Sequence, residues 1–245
     1  MTPDLRYPER PETLDRSIRP SWSKNPAWVN EGHRRVFDET KDIPGWQVEG
    51  DAHKLYEMAY FAGDVILELG VYGGRSAVVE LKGALSNPLR SRPQLFGLDV
   101  DRTAIQRSHE TLAAFGLAEH ALLYEGDIEA FMAEFEVGPT MVFVDADHRY
   151  EAVKKDLDAL SRLLAPGVPV FCHDYANREP PEGEIGVRRA ATEWEASGHA
   201  EWSAAFGAGA LFVTTARCPG RVARMSDDAF AEERVRRLKM CGIQP

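Results

Sequence analysis

From Val65 onward, short apolar runs alternate with stretches that carry their apolar residues at helical spacing. The runs are Val65 to Leu69, Gln94 to Leu98, Ala121 to Tyr124, Met141 to Val144 and Val168 to Cys172. Each is the length of a strand. Between the last two, Tyr150, Val153, Leu157, Leu160 and Leu164 recur at three and four residues, a helix face that Pro166-Gly167 closes. Strand, crossover helix and strand repeated in this way predict an α/β fold built on a parallel sheet. Val187, Ala190, Ala191 and Trp194 form another helix face. Trp202 to Phe206 and Ala210 to Thr214, joined through Gly207 and Gly209, predict a terminal antiparallel hairpin, so the sheet is expected to be mixed at one edge.

The two ends of the chain read differently. Residues 1–25 hold Pro3, Pro8, Pro11 and Pro20 among charged residues without an apolar period, which predicts a disordered or extended arm. Residues 26–62 read as an N-terminal helical extension: Trp28, Val29 and Phe37, a turn at Ile43-Pro44-Gly45-Trp46, then a helix carrying Leu55, Met58 and Ala59. Residues 63–216 form the sheet domain and 217–245 a helical tail. In that tail Ser226-Asp227-Asp228 stands at the start of a helix and Arg234, Arg236, Arg237 and Lys239 towards its end, matching the helix dipole.

Composition narrows the chemistry. The chain has 245 residues, a net charge of −10 and 44% hydrophobic residues, enough to bury a core without staples. Cys172, Cys218 and Cys241 are scattered and odd in number, which argues against a disulfide framework or a zinc site and for a cytoplasmic location. No apolar run approaches the roughly 20 residues of a membrane span. The acidic balance disfavours nucleic acid as a partner, leaving a small molecule. The end segments are candidates for contacts between copies in a homo-oligomer.

The richest stretch is Glu68-Leu69-Gly70-Val71-Tyr72-Gly73-Gly74-Arg75-Ser76, between the first strand and a helix. Glycines there permit a tight turn and close approach to a ligand. The dinucleotide pattern G-x-G-x-x-G is absent, and Glu68 stands where a pyrophosphate would bind, which disfavours a nicotinamide oxidoreductase. A cofactor with a cationic end fits better, and S-adenosylmethionine carries an ammonium and a sulfonium. After the second strand, Asp99 can accept from both ribose hydroxyls, while Asp101 can cap the next helix. After the third, Asp127 can accept from an adenine amino group with Ile128 over the ring, or simply cap a helix.

These residues resemble the class I S-adenosylmethionine-dependent methyltransferases, whose first motif matches Glu68, Gly70 and Gly74. The resemblance runs from about Trp46 to Thr214. It is nearest to the metal-dependent natural-product and sugar O-methyltransferases (macrocin and cephalosporin-hydroxylase-like, related to the catechol enzymes) through Val142 to Tyr150, through Phe171-Cys172-His173-Asp174-Tyr175, and through Gly186 to Ala190. It implies a Rossmann-like, seven-stranded, mostly parallel sheet with a terminal antiparallel strand and helices on both faces. It also implies a cofactor site of Glu68, Gly70, Tyr72, Gly74, Ser76, Asp99, Asp127, Ile128 and Asp145, and methyl transfer to a hydroxyl of a small metabolite.

A case for a metal stands beside the resemblance. Asp145 and Asp174 each follow a strand, and on neighbouring strands about 4.8 Å apart both could reach one hard cation, Mg²⁺ first and Mn²⁺ second. The third ligand departs from the relatives: His173 precedes Asp174 and Tyr175 follows it, where the catechol enzymes have an Asn after the Asp and the sugar enzymes an adjacent acid. His173 can be a ligand, a general base or a structural histidine. A metal-free site with His173 or Asp147 as base is the alternative, and a non-catalytic cofactor-binding partner protein is another. His148, at the head of a helix, reads as packing or capping, Tyr150 and Trp194 as core, and Arg188-Arg189 as a solvated face. Trp46 and Tyr72 are candidate walls of an acceptor pocket. Acceptor specificity is expected in the Trp46 region and in the loop 176–185.

Overall fold

The structure is a computed structural model that describes residues 31–89, 92–176 and 185–244, with backbone only for residues 31–34 and Phe206. The N-terminal arm and most of the loop 176–185 lie outside the described residues.

Two helices, α1 (Glu31–Thr40) and α2 (Glu49–Ala62), lead into β1 (Val65–Leu69). Then follow α3 (Arg75–Leu85), β2 (Gln94–Asp99), α4 (Arg102–Ala114), β3 (Ala121–Glu125), α5 (Ile128–Glu134), β4 (Met141–Val144), α6 (Tyr150–Leu163) and β5 (Pro169–Cys172). The chain closes with α7 (Val187–Ala196), β6 (Ala200–Phe206), β7 (Gly209–Thr214) and α8 (Asp227–Met240). The strands form one seven-stranded sheet in the order β3-β2-β1-β4-β5-β7-β6. Pairings among β1 to β5 are parallel, whereas β7 runs antiparallel to both β5 and β6. Only β7 is therefore reversed, and the hairpin expected at the edge is what reverses it.

Side-chain alternation divides the core into two layers. Val65, Leu67 and Leu69 of β1 pack with Ile128 and Phe131 of α5, Leu157 and Leu160 of α6 and Trp194 of α7. Ile66 faces the other way, against Leu55 and Met58 of α2, Val78 and Leu81 of α3 and Ile105 of α4. Glu68 shares that second face. The expected helical extension is thus part of the domain core: α2 is buried from Asp51 to Tyr60. The closing helix begins as expected, with Ser226 Oγ accepting from Ala229 N.

The strand order reverses between β1 and β4, and backbone hydrogen bonds carry the ladders past the strand ends. Gly70 N donates to Leu98 O, Asp145 N to Leu69 O, Gly126 N to Asp99 O and His173 N to Val144 O. The residues just after four strands, β1, β3, β4 and β5, are thereby held in one row along the carboxyl edge, where open α/β sheets bind ligands. Among the described residues no helix is long and apolar enough to cross a membrane.

Candidate active site

One cavity of about 1010 Å³ opens at that edge. It exceeds the usual upper size for one drug-like ligand, room for a cofactor and an acceptor together. Its floor is the turn after β1. Gly70 has φ +89°, and a Cβ there would lie 2.2 Å from Asp145 O; at Gly74, φ +77°, a Cβ would lie 3.0 Å from Ser108 Cα. Both positions require glycine for conformation and for space. Tyr72 between them has φ +40° and Asp174 has φ +57°, the two non-glycine residues in this region of backbone among those described. Both line the cavity. Strain of this kind collects at ligand sites.

On the β1–β3 side, Asp99 accepts from Tyr72 N at 3.1 Å and from Asp101 N at 2.9 Å, one bond per oxygen. Each oxygen keeps a lone pair for a further donor. Asp101 caps α4 through Thr103 N. Asp127 serves two purposes: it caps α5 through Ala130 N and pairs with Lys155 Nζ at 2.6 Å, and that pairing holds its carboxyl below the ordinary range. It lines the cavity with Ile128. Asp156 also faces the cavity, and burial pushes its carboxyl up to about 6.

Glu68 is not on the cavity wall. It is fully buried behind Ser76, whose hydroxyl donates to Glu68 Oε1, while Oε2 has no partner. Burial, with Asp145 and Asp99 nearby and the Ser76 bond opposing, raises its carboxyl to about 8. Ser76 itself lines the cavity.

On the β4–β5 side, acids and imidazoles converge. His148 Nδ1 lies 2.9 Å from Asp174 Oδ2, and His173 Nδ1 lies 3.0 Å from Asp145 Oδ1 and 3.5 Å from Asp174 Oδ2. One ligand atom each from Asp145, His148 and Asp174 lies within 4.8 Å of the others, a group that could hold an ion. Burial raises the Asp145 carboxyl, with His173 opposing. Burial opposes ionisation of Asp174 too, but His148 and His173 outweigh it and hold that carboxyl well below the ordinary range. Burial disfavours the His173 cation, yet Asp145, Asp174 and Asp51 outweigh it and push the imidazole up to about 12. The bond to Asp174 raises His148.

Three features of this cluster depart from the sequence reading. His148 lines the cavity and pairs with Asp174 rather than capping α6, whose N-cap is Arg149. Asp147 lines the cavity but is gripped by Arg149, through its backbone N and its guanidinium, which holds the carboxyl low and makes it a poor base. Asp51, on α2, was not legible as a site residue: it is fully buried with His173 Nε2 3.4 Å from its Oδ2. Only its position at the third residue of a helix, where it bonds back to Val48 N, left a trace in the sequence.

At the mouth stand Trp46, 92% exposed, and Tyr72, 54% exposed. Arg75, at the start of α3, ties down the loop of Trp46 by donating to Gly45 O at 3.1 Å. Trp194 is core, its Nε1 donating to Ser161 Oγ. Tyr150 is only partly buried, its hydroxyl on Glu193. Arg188 bonds Tyr175 O and Arg189 pairs with Glu193 on an exposed helix face.

Residues 67–175, the stretch that supplies all these strand ends, match the family model described as a methyltransferase domain. The chain has a methyltransferase fold. It superposes on an O-methyltransferase from Bacillus cereus in complex with SAH, with a TM-score of 0.60 at 16% identity, covering 77% of this chain and 92% of that one. It is similar also to the O-methyltransferase TomG from Streptomyces achromogenes, involved in tomaymycin synthesis and solved with SAM (TM-score 0.56, 17% identity, 77% and 91% covered). The SAH-bound methyltransferase PaMTH1 from Podospora anserina gives a TM-score of 0.56 at 18% identity, with 76% and 88% covered. A comparison with curated protein sequences gives no match. The match to that model ends at Tyr175, ahead of α7, β6, β7 and α8.

Proposed function

We propose that this chain is an S-adenosylmethionine-dependent O-methyltransferase that acts, with a divalent cation, on a hydroxyl of a small metabolite of the sugar or polyketide type, in the manner of the natural-product and sugar subgroup. The observation that carries the reading is the placement of Asp99, Asp145 and Asp174 around one cavity at the reversal point of the sheet. The donor fits on two counts: a backbone turn, Gly70 to Gly73, that lines the cavity, and a carboxylate at the tip of β2 with free lone pairs. The ion fits the converging donor set of Asp145, His148 and Asp174.

When bound, the donor supplies an electrophilic methyl group on a sulfonium, and the ion supplies positive charge against an oxygen losing its proton. The chain does the rest by holding and orienting. Asp99 accepts from ribose hydroxyls, Ile128 covers the base, and the turn at Gly70 to Gly74 lets the backbone approach the donor's amino-acid end. Glu68 acts through Ser76, fixing that hydroxyl on the wall. Asp145, His148 and Asp174 would hold the ion at the carboxyl ends of β4 and β5, where its charge would orient an acceptor oxygen. Trp46 and Tyr72 stand at the mouth, where their exposed rings offer an apolar surface to an acceptor.

A metal-free reading with His173 as base is the alternative, and the carboxylates that push its imidazole up to about 12 count against it, because a protonated imidazole accepts no proton. Removing metal separates the two. Purified protein should bind S-adenosylhomocysteine (SAH) by calorimetry, and transfer of a labelled methyl group from S-adenosylmethionine to a panel of diols should stop in EDTA and return with added cation. Absence of any SAH binding would defeat the methyltransferase reading, and turnover undiminished in EDTA would defeat the ion.

A further inference from the structure

The ion site differs from an all-oxygen magnesium site in its nitrogen content. His148 Nδ1 and His173 Nδ1 both stand within 3.5 Å of Asp174 Oδ2, and His173 Nδ1 is closer still to Asp145. His173 is 3% exposed, and its Nδ1 meets the Asp145 and Asp174 carboxylates as an ion pair without a hydrogen bond of good geometry to either. Two acids that converge on one buried imidazole nitrogen repel each other, so they mark a place for a cation they can share.

What aims His173 is Asp51. That side chain comes from α2, outside the strand ends that furnish the rest of the site. It is immobilised by Val48 N on Oδ2 at 3.1 Å and by Ala208 N, from the β6–β7 turn, on Oδ1 at 3.0 Å. The turn closes on it so tightly that a Cβ at Gly207 would lie 2.2 Å from Oδ1. An ionised carboxylate only accepts hydrogen bonds. Facing Asp51, Nε2 of His173 keeps its hydrogen, so Nδ1 is the nitrogen left to Asp145 and Asp174: without an ion it shares a proton with them, and an ion would take that proton's place. A carboxylate behind a histidine is how proteins orient an imidazole toward a metal. His148, 43% exposed, leaves the cluster open to solvent on its own side.

Resting on the cation-assisted reading above, we infer that the site is a two-histidine, two-aspartate centre of Asp145, His148, His173 and Asp174 that takes a transition ion of the Mn²⁺, Co²⁺ or Zn²⁺ class in preference to Mg²⁺, with Asp51 as the positioning residue for His173. Imidazole donors suit these ions, whereas Mg²⁺ favours carboxylate, carbonyl and water oxygen.

The test uses the full chain, stripped with chelator and titrated by calorimetry with MgCl₂, MnCl₂ and CoCl₂, each with and without SAH. Co²⁺ is expected to bind at least about tenfold more tightly than Mg²⁺. Electron spin echo of the Mn²⁺ form, which needs no variant, should show ¹⁴N coupling from directly bound imidazole, and His148→Ala should reduce it. Asp51→Asn should weaken Co²⁺ by about 10–100-fold while SAH affinity holds. Equal affinity for Mg²⁺ and Co²⁺, no bound ion, or an echo without nitrogen coupling would overturn the inference. SAH binding in the same samples reports separately on the methyltransferase reading: retained SAH binding with a failed ion result defeats the centre alone.

Discussion

Glu68 is a charge placed where charge is expensive. Neither Glu68 nor its neighbour Glu80 is exposed, and neither oxygen of Glu80 has a partner. Burial is the main force that lifts Glu68 to about 8 from an ordinary 4.5. A carboxyl whose folded pKa is raised contributes stability that is complete below its unfolded pKa and is lost as pH climbs through the folded one. The wild-type chain is therefore expected to lose stability between about pH 5 and pH 8 by a few kcal/mol, at roughly 1.4 kcal/mol per unit. Glu68→Gln keeps an acceptor for Ser76 and should flatten that slope. Urea denaturation of both proteins at pH 6 and pH 9 measures it, and a stability difference between them that does not change with pH would refute the account. The sequence showed that an acid ends β1, but not that it turns toward α3 and away from the ligand. His148 was illegible for a related reason: a histidine heading a helix looks like a cap until β5 brings Asp174 beneath it.

At the scale of elements, α2 breaks the rule by which the others were legible. Strands β1 to β5 could be read because parallel strands buried on both faces are runs of apolar residues, and α6 because one face of it repeats at helical spacing. In α2 the charged Asp51, Lys54 and Glu57 are as buried as Leu55 and Met58, so charge, the usual sign of a wet face, pointed the wrong way. Lys54 Nζ donates to Glu57 Oε2, both side chains wholly enclosed. Breaking a buried pair strands a charge, whereas replacing both members with apolar groups of like volume is often neutral. Lys54→Met should cost about 3–5 kcal/mol in guanidinium denaturation, and Lys54→Met with Glu57→Leu markedly less. A double variant as unstable as the single one would mean that the pair itself, not the desolvated charge, holds α2 in place.

Across the whole molecule, the reversal of strand order between β1 and β4 separates two tasks. The tips of β1 to β3 present Gly70, Asp99 and Asp127, groups suited to a nucleoside. Those of β4 and β5 present Asp145 and Asp174, suited to an ion, with Asp51 reaching in from α2 behind them. The two halves meet where β1 pairs with β4: Asp145 N donates to Leu69 O, and Gly70 passes so close to Asp145 O that a Cβ there would lie 2.2 Å from it. Such a division should be visible as independence in binding. Asp99→Ala removes the acceptor for ribose hydroxyls and should weaken SAH by about 10–100-fold, the worth of one or two hydrogen bonds to a charged group, while cation affinity stays within about twofold. Asp174→Asn, in which asparagine tolerates the left-handed backbone, should do the reverse. Asp145 sits at the junction, so Asp145→Asn should weaken both ligands. Calorimetry of SAH and of Co²⁺ against the three variants decides the matter: if Asp99→Ala and Asp174→Asn each weakened both ligands equally, the edge of the sheet would be one indivisible site, and the assignment of its halves to donor and ion would fall.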